Sequence, residues 1–164
     1  MTTRDRTDTE AQVAALESSL ESFAACVRTL DSPDYLGLIG RWTPRDIVAH
    51  LIGWNRAVIV GSDQLRVGKL PFYDVDPGPD YSKVNAAFLR EYPTTNREQL
   101  LSELEESAQE LGNYVQGLDP HDWEWDFGVR HVAERLTIRG AADELIADYE
   151  HHRRQIDRAF GCSA

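Results

Sequence analysis

The run Arg41-Trp42-Thr43-Pro44-Arg45-Asp46-Ile47-Val48-Ala49-His50-Leu51-Ile52-Gly53-Trp54 opens a helix and places an imidazole on its inner side. Thr43 reads as the N-cap, whose hydroxyl accepts from a free backbone N–H. Pro44 suits the first helical position, where no donor is needed, and Asp46 complements the positive end of the helix dipole. Ile47, Leu51, Trp54 and Val58 recur at helical spacing and define an apolar face, and the helix is expected to end near Gly61-Ser62. His50 falls three residues after Ile47 and four before Trp54, so it shares that face instead of pointing to water.

Upstream, Val13, Leu16, Leu20, Phe23, Val27 and Leu30 alternate spacings of three and four, which predicts a helix from about Thr7 to Leu30, stopped by Ser32-Pro33. Downstream, Gly61, Gly68, Pro71, Pro77, Gly78 and Pro79 interrupt every period, so the chain there reads as an irregular connection. A connection that long either carries function or spans a bundle end to end, letting the helices it joins run parallel. A short helix is expected over Tyr81 to Tyr92, broken by Pro93, and Thr95-Asn96-Arg97-Glu98 offers a capping box for a third long helix. Leu100, Leu104, Ala108, Leu111 and Val115 or Leu118 form its inner face, and Gly117 marks its end.

Residues 119–136 make a second long connection carrying Trp123 and Trp125, read as a small hairpin or a lid. The fourth long helix is expected from Thr137 to about Phe160, with Ile138, Ala142, Leu145, Tyr149, His152, Ile156 and Ala159 inward. No internal repeat or low-complexity tract divides the chain. Residues 1–164 are therefore expected to form a single all-α domain, a four-helix bundle.

The 164 residues carry 28 acids against 17 bases, a formal net charge of -11, with no Lys/Arg-rich run to meet phosphates. No nucleic acid and no membrane are expected as partners, and no apolar run approaches the roughly 20 residues of a membrane span. The start Met1-Thr2-Thr3-Arg4-Asp5-Arg6 lacks the apolar core of a secretory signal, so a cytoplasmic location is expected. Cys26 and Cys162 are expected as free thiols in a reducing compartment.

On the fourth helix Asp148 and His152 are four residues apart and share a face, with Glu144 one turn earlier and His151 beside them. If this helix neighbours the second, His50, Asp148 and His152 meet between them. Neutral imidazole and carboxylate are the usual ligands of a divalent metal such as zinc, nickel or iron, with positions left open for substrate; His151 is the alternate ligand. The competing reading is structural: His50 hydrogen-bonds Asp148 or Tyr149 to satisfy a buried donor, while His151 and His152 pair with acids near a solvated edge. His50, Asp148 and His152 are also the candidate catalytic residues, and Trp54, Tyr149, Trp125 and Glu144 the candidate substrate pocket for a small-molecule ligand. Most of the tryptophans are expected in the core, with Trp123 and Trp125 the ones favoured for ligand contact. No Gly-x-Ser-x-Gly turn, partnered Cys-His spacing or Gly-rich phosphate loop occurs.

The Arg41 to Trp54 run resembles the second-helix signature of the DinB-like superfamily, and most of all its ClbS/DfsB branch. In that branch a Pro-rich connection leads to an Asn-containing short helix, here Val84-Asn85-Ala86-Ala87-Phe88, and the fourth helix carries a Tyr-Glu-His run, here Tyr149-Glu150-His151. The resemblance spans nearly the whole chain and implies a four-helix bundle of up-down-down-up course. Metal-binding members use one histidine on the second helix, matching His50, and a His-x-x-x-His pair on the fourth. Here Asp148 stands in the first place of that pair and His152 in the second.

The superfamily includes metal-dependent thiol transferases and isomerases, and the branch includes a protein that protects cells by hydrolysing a reactive cyclopropane-bearing toxin. Three readings follow: a hydrolase or protective enzyme acting on a reactive metabolite, a metal-dependent thiol transferase or isomerase, and a non-catalytic homodimer that sequesters a small molecule. Fold analogy does not choose among them.

Overall fold

The computed structural model describes residues 3–162, so the Met1-Thr2 start of the N-terminal reading lies outside the described residues. In chain order the elements are α1 (Thr3–Thr29), α2 (Ser32–Tyr35), α3 (Pro44–Arg66), α4 (Phe72–Val75), α5 (Ser82–Glu91), α6 (Arg97–Gly117), α7 (Pro120–Glu124), β1 (Arg130–His131), β2 (Glu134–Arg135) and α8 (Ile138–Phe160). The long helices α1, α3, α6 and α8 form the bundle. Their apolar faces meet in one core that includes Phe23, Ile47, Leu51, Leu104, Leu111 and Ile156.

Side-chain pairs between helices give their directions. Arg45 reaches the Thr94 carbonyl just ahead of α6, Asn55 meets Ser107, and the Tyr114 hydroxyl meets Asp63, so α3 and α6 run parallel. Gln12 reaches Asp143, and Cys26 joins Cys162, so α1 and α8 are also parallel. Arg28 contacts Glu105 and Arg97 the Leu30 carbonyl, which makes α1 antiparallel to α6. Together these directions make α3 and α8 antiparallel. The course is up, down, down, up.

The centre is pinned by a buried polar knot. Asn55 Nδ2 donates to Ser107 Oγ (2.9 Å) and to the Tyr149 hydroxyl (2.8 Å), tying α3, α6 and α8 in one register. A buried network of this kind rigidifies when its members are satisfied. Outside it, Arg56 on α3 holds Glu110 at 3.1 and 3.0 Å and Glu103 at 2.6 Å on α6.

Local chemistry explains the boundaries. Thr43 and Asp46 form a reciprocal capping box at the start of α3. The helix does not end at Gly61-Ser62 but continues to Arg66. Gly61 is there because a Cβ would lie 2.6 Å from the Tyr73 ring, and the Ser62 hydroxyl is absorbed by the Val58 carbonyl at 2.6 Å. The cap of α6 is Asn96, which accepts from Gln99 N, one residue later than the Thr95 box. Residues 119–136 hold the short α7 and a hairpin whose turn, Val132 and Ala133, has positive φ. On α8 the inward stripe ends with Phe160 instead of Ala159, which is exposed.

The expected free thiols are overturned. Cys26 and Cys162 form a disulfide with Cα atoms 5.0 Å apart. Parallel α1 and α8 bring their C-terminal ends to the same end of the bundle, an adjacency that a sequence separation of 136 conceals. Among the described residues, no helix is long and apolar enough to cross a membrane.

Candidate functional site

The inner side of α3 delivers His50 into the space facing α8, where it is buried beside Asp148 and His152. His50 Nε2 lies 2.9 Å from Asp148 Oδ2, and His152 Nε2 lies 3.4 Å from Asp148 Oδ1. One ligand atom from each of the three falls within 4.8 Å of the others. Of the two neighbouring histidines, His152 is the buried one and His151 is exposed at the cavity edge.

The remaining ring nitrogens are equally constrained. Asn85, on α5, places Oδ1 3.1 Å from His50 Nδ1, and the same oxygen accepts from Trp54 Nε1 at 2.9 Å. Asn85 Nδ2 in turn donates to the Asp80 carbonyl at 3.1 Å, which leaves Oδ1 only the acceptor role. His50 Nδ1 therefore carries a proton, donated to Asn85 Oδ1. His152 Nδ1 likewise lies 2.7 Å from Gln155 Oε1.

Both Nε2 atoms thus point at one carboxylate. Burial drives the His152 imidazole down to about 4, with His50 and His151 adding to the effect and Asp148 and Gln155 opposing it. Burial pushes the Asp148 carboxyl up, but the His50 hydrogen bond and the charges of His152, His50 and His151 outweigh it and hold the group below its usual range. An ionised carboxylate only accepts hydrogen bonds, so the 2.9 Å contact at His50 Nε2 needs a proton or a cation between nitrogen and oxygen. The donor set, two nitrogens with backing amide oxygens and one carboxylate, fits a divalent cation.

The centre opens on a cavity of about 660 Å³. Trp42 covers one side, its ring centroid 4.7 Å from that of His50 and 6.1 Å from that of His152. Trp54 and Glu144 line the cavity as expected from sequence. Glu144 is pushed above the usual carboxylate range by burial and by Asp74 and Glu134, with His131 opposing. Trp125 and Tyr149 do not line it. Trp125 is half-exposed and stacks on His121 at 4.3 Å, while Tyr149 is buried in the bundle centre against Asn55 and Phe23. The tryptophan reading is also reversed: Trp42 and Trp54 wall the cavity, whereas Trp123 is buried with its N–H donated to Gln12.

Several residues of the site have no role assigned from the sequence. Asp74, Tyr81 and His131 line the cavity from the connections, Gln155 backs His152, and Asn85 stands out only through the family resemblance of its short helix. The segment bearing Tyr81 is strained: Asp80 and Tyr81 have φ of 54° and 55°, left-handed conformations that cost roughly 1–2 kcal/mol per residue. Asn85 on the Asp80 carbonyl and Asp74 on the Tyr81 hydroxyl (2.9 Å) hold it in place.

Residues 16–157 match the mycothiol maleylpyruvate isomerase N-terminal domain family. The chain belongs to that family. Solved structures share its fold, a DinB-like helical bundle of the ClbS/DfsB type. The colibactin self-resistance protein ClbS, crystallised in complex with a dsDNA, is 19% identical over 95% of this chain and 97% of its own, with a TM-score of 0.74. An uncharacterized protein from Clostridium difficile 630 is 15% identical over 92% of this chain and 94% of its own, with a TM-score of 0.75. DfsB, described as a sibling lethal factor precursor, is 13% identical over 92% and 94%, with a TM-score of 0.70. No curated protein matches the sequence.

Proposed function

We propose that this member of the mycothiol maleylpyruvate isomerase N-terminal domain family is a small-molecule enzyme of hydrolytic, protective type. His50, Asp148 and His152 would hold a divalent cation beside a reactive, electrophilic substrate. The observation that carries the reading is the convergence of two Nε2 atoms and a carboxylate within 4.8 Å, each imidazole backed through Nδ1 by an amide oxygen. A metal-ligating histidine characteristically has such a second partner, which fixes the ring and directs its other nitrogen at the ion.

The residues divide the work. Asn85 and Gln155 keep protons on Nδ1 so that both Nε2 lone pairs are available; Asp148 supplies negative charge. Trp42 and Trp54 shield the centre from bulk water. A divalent metal bound there supplies Lewis-acid polarisation and lowers the pKa of water, the chemistry a hydrolysis needs. The protective role parallels the self-resistance named for ClbS.

A second reading is favoured by the family itself, whose name specifies a thiol cofactor: the same residues would hold a metal that receives a thiolate, and the activity would be transfer or isomerisation. The dsDNA bound by ClbS suggests a further partner, against which stands the net charge of -11.

Metal analysis of tag-free protein separates these ideas. Stoichiometric zinc, nickel or iron, lost in both His50→Ala and His152→Ala with helical content unchanged, is the expected result. Metal-free protein that cannot be loaded at micromolar zinc, iron or nickel would sink the metal-dependent readings. Acceleration of electrophile loss by water alone favours hydrolysis; dependence on an added low-molecular-weight thiol favours transfer.

A further inference from the structure

The cavity has a second polar wall that the proposed metal centre leaves unused. Asp74 on α4 has a side chain only 6% exposed, and both the Tyr81 hydroxyl (2.9 Å) and His131 Nδ1 (3.6 Å) approach its Oδ1. Its Oδ2 has no hydrogen-bond partner among the described residues, although the residue lines the cavity. That oxygen is not sealed away: it is reached from the cavity, where it can accept a hydrogen bond from a ligand.

Aromatic faces surround this wall. The Trp54 ring lies 5.0 Å from Tyr73 and 5.6 Å from Tyr81, centroid to centroid, both edge-on. Such rings attract a cation through their electron-rich faces. The formal charges of the lining are lopsided: Asp74, Asp80, Glu134, Glu144 and Asp148 stand against Arg135. A dicarboxylate entering this cavity meets repulsion from most sides, whereas a cation is drawn in.

We propose that the cavity binds its substrate through a protonated amine, seated on Asp74 and Glu144 between the rings of Trp54, Tyr73 and Tyr81. The uncharged reactive part then lies toward His50, Asp148 and His152. Glu144 and Asp148 are one turn apart on α8, so amine and reactive carbon are separated by about 6 Å along the helix axis at 1.5 Å per residue. The orientation rests on the function proposed above; the amine seat stands without it.

Benzylamine, benzyl alcohol and benzoate share one ring and differ in charge, which makes them direct probes. Each is titrated into metal-free, full-length protein, so that no amine can bind through a metal, and binding is followed by calorimetry and tryptophan fluorescence. Benzylamine is expected to bind at least tenfold tighter than benzyl alcohol, and benzoate more weakly than either. Asp74→Asn and Glu144→Gln should each pull the amine-to-alcohol ratio toward one. Glu144 is solvent-accessible, so Glu144→Gln carries the test if Asp74→Asn fails to fold.

Equal or undetectable affinity for the three probes, or an amine preference that survives Glu144→Gln unchanged, overturns the proposal. Zinc binding measured in parallel tells the two ideas apart. Amine preference in protein that cannot be loaded with metal keeps the amine seat and removes the metal centre; zinc binding without amine preference does the reverse.

Discussion

His50 Nδ1 lies 3.1 Å from Asn85 Oδ1, across 35 residues of sequence and from one helix to another. That oxygen also accepts from Trp54, and the Asn85 amide nitrogen is committed to the Asp80 carbonyl, so neither end of the Asn85 side chain is free to turn. The ring orientation is thereby fixed, with Nδ1–H on Asn85 and Nε2 directed at Asp148. The short helix α5 belongs to the site because of this single amide.

Asn85→Ala removes the fixing oxygen while leaving all three candidate ligands in place. Zinc affinity should fall 10- to 100-fold, the usual cost of losing such a backing partner, with the fold retained. Competition against a chromogenic chelator measures it. A change smaller than threefold would mean that Asn85 does not position the ring.

The pH dependence of stability follows from His152. The unfolded residue binds a proton below about 6.5, whereas the folded one, desolvated by burial, stays neutral until about 4. In that window the unfolded state holds more protons, so unfolding becomes easier as the pH falls. Metal-free protein should lose on the order of 3 kcal/mol of stability between pH 6.5 and 4 through this group. Asp148, held below its usual range, adds a loss at lower pH, as its folded form is protonated. Thermal melts across this range test the point: His152→Gln should show a flatter profile between pH 6.5 and 4, and an unchanged slope would contradict the assignment.

The parts of this molecule legible in sequence are those that repeat. Val13 to Leu30, Leu100 to Val115 and Ile138 to Ile156 each hold a face at spacings of three and four, and those faces are buried. His50 and His152 could be placed inward because apolar neighbours on the same helices bracket them. Long-range adjacency has no period. Asp74, Tyr81 and His131 reach the cavity from connections whose path depends on strained residues and on packing, and Cys26 and Cys162 meet only because α1 and α8 run parallel. Gly61 belongs with them: it makes room for Tyr73, a contact with no trace along the helix, so a glycine that looks like a stop lies inside α3.

Gly53 shows the same logic and yields a prediction. A Cβ built there would lie 2.1 Å from Phe88 Cγ, so α5 packs against α3 only because this position has no side chain. Phe88 is on the same short helix as Asn85. Gly53→Ala must push α5 outward, costing about 1–3 kcal/mol for overpacking despite the better helix propensity of alanine. Because the displacement carries Asn85 away from His50, zinc affinity should fall with stability. Chemical denaturation and chelator competition on the same preparation would show whether the two losses occur together; a stabilised variant would refute the packing argument.

The disulfide makes the last prediction, and it separates stability from the site. Cys26 and Cys162 close a loop with a sequence separation of 136, and the chain-entropy account assigns a cross-link of that span about 5 kcal/mol. Reduction with dithiothreitol, or Cys162→Ser, should therefore lower the melting temperature by roughly 10 °C or more. Zinc affinity at 25 °C should stay within twofold, because His152 is held by Gln155 and by its own buried helix face, not by the tail beyond Phe160. Alkylation and intact mass before and after reduction count the thiols. A melting temperature indifferent to reduction would show that the bond contributes nothing to the folded state, and a loss of zinc on reduction would tie the end of α8 to the centre after all.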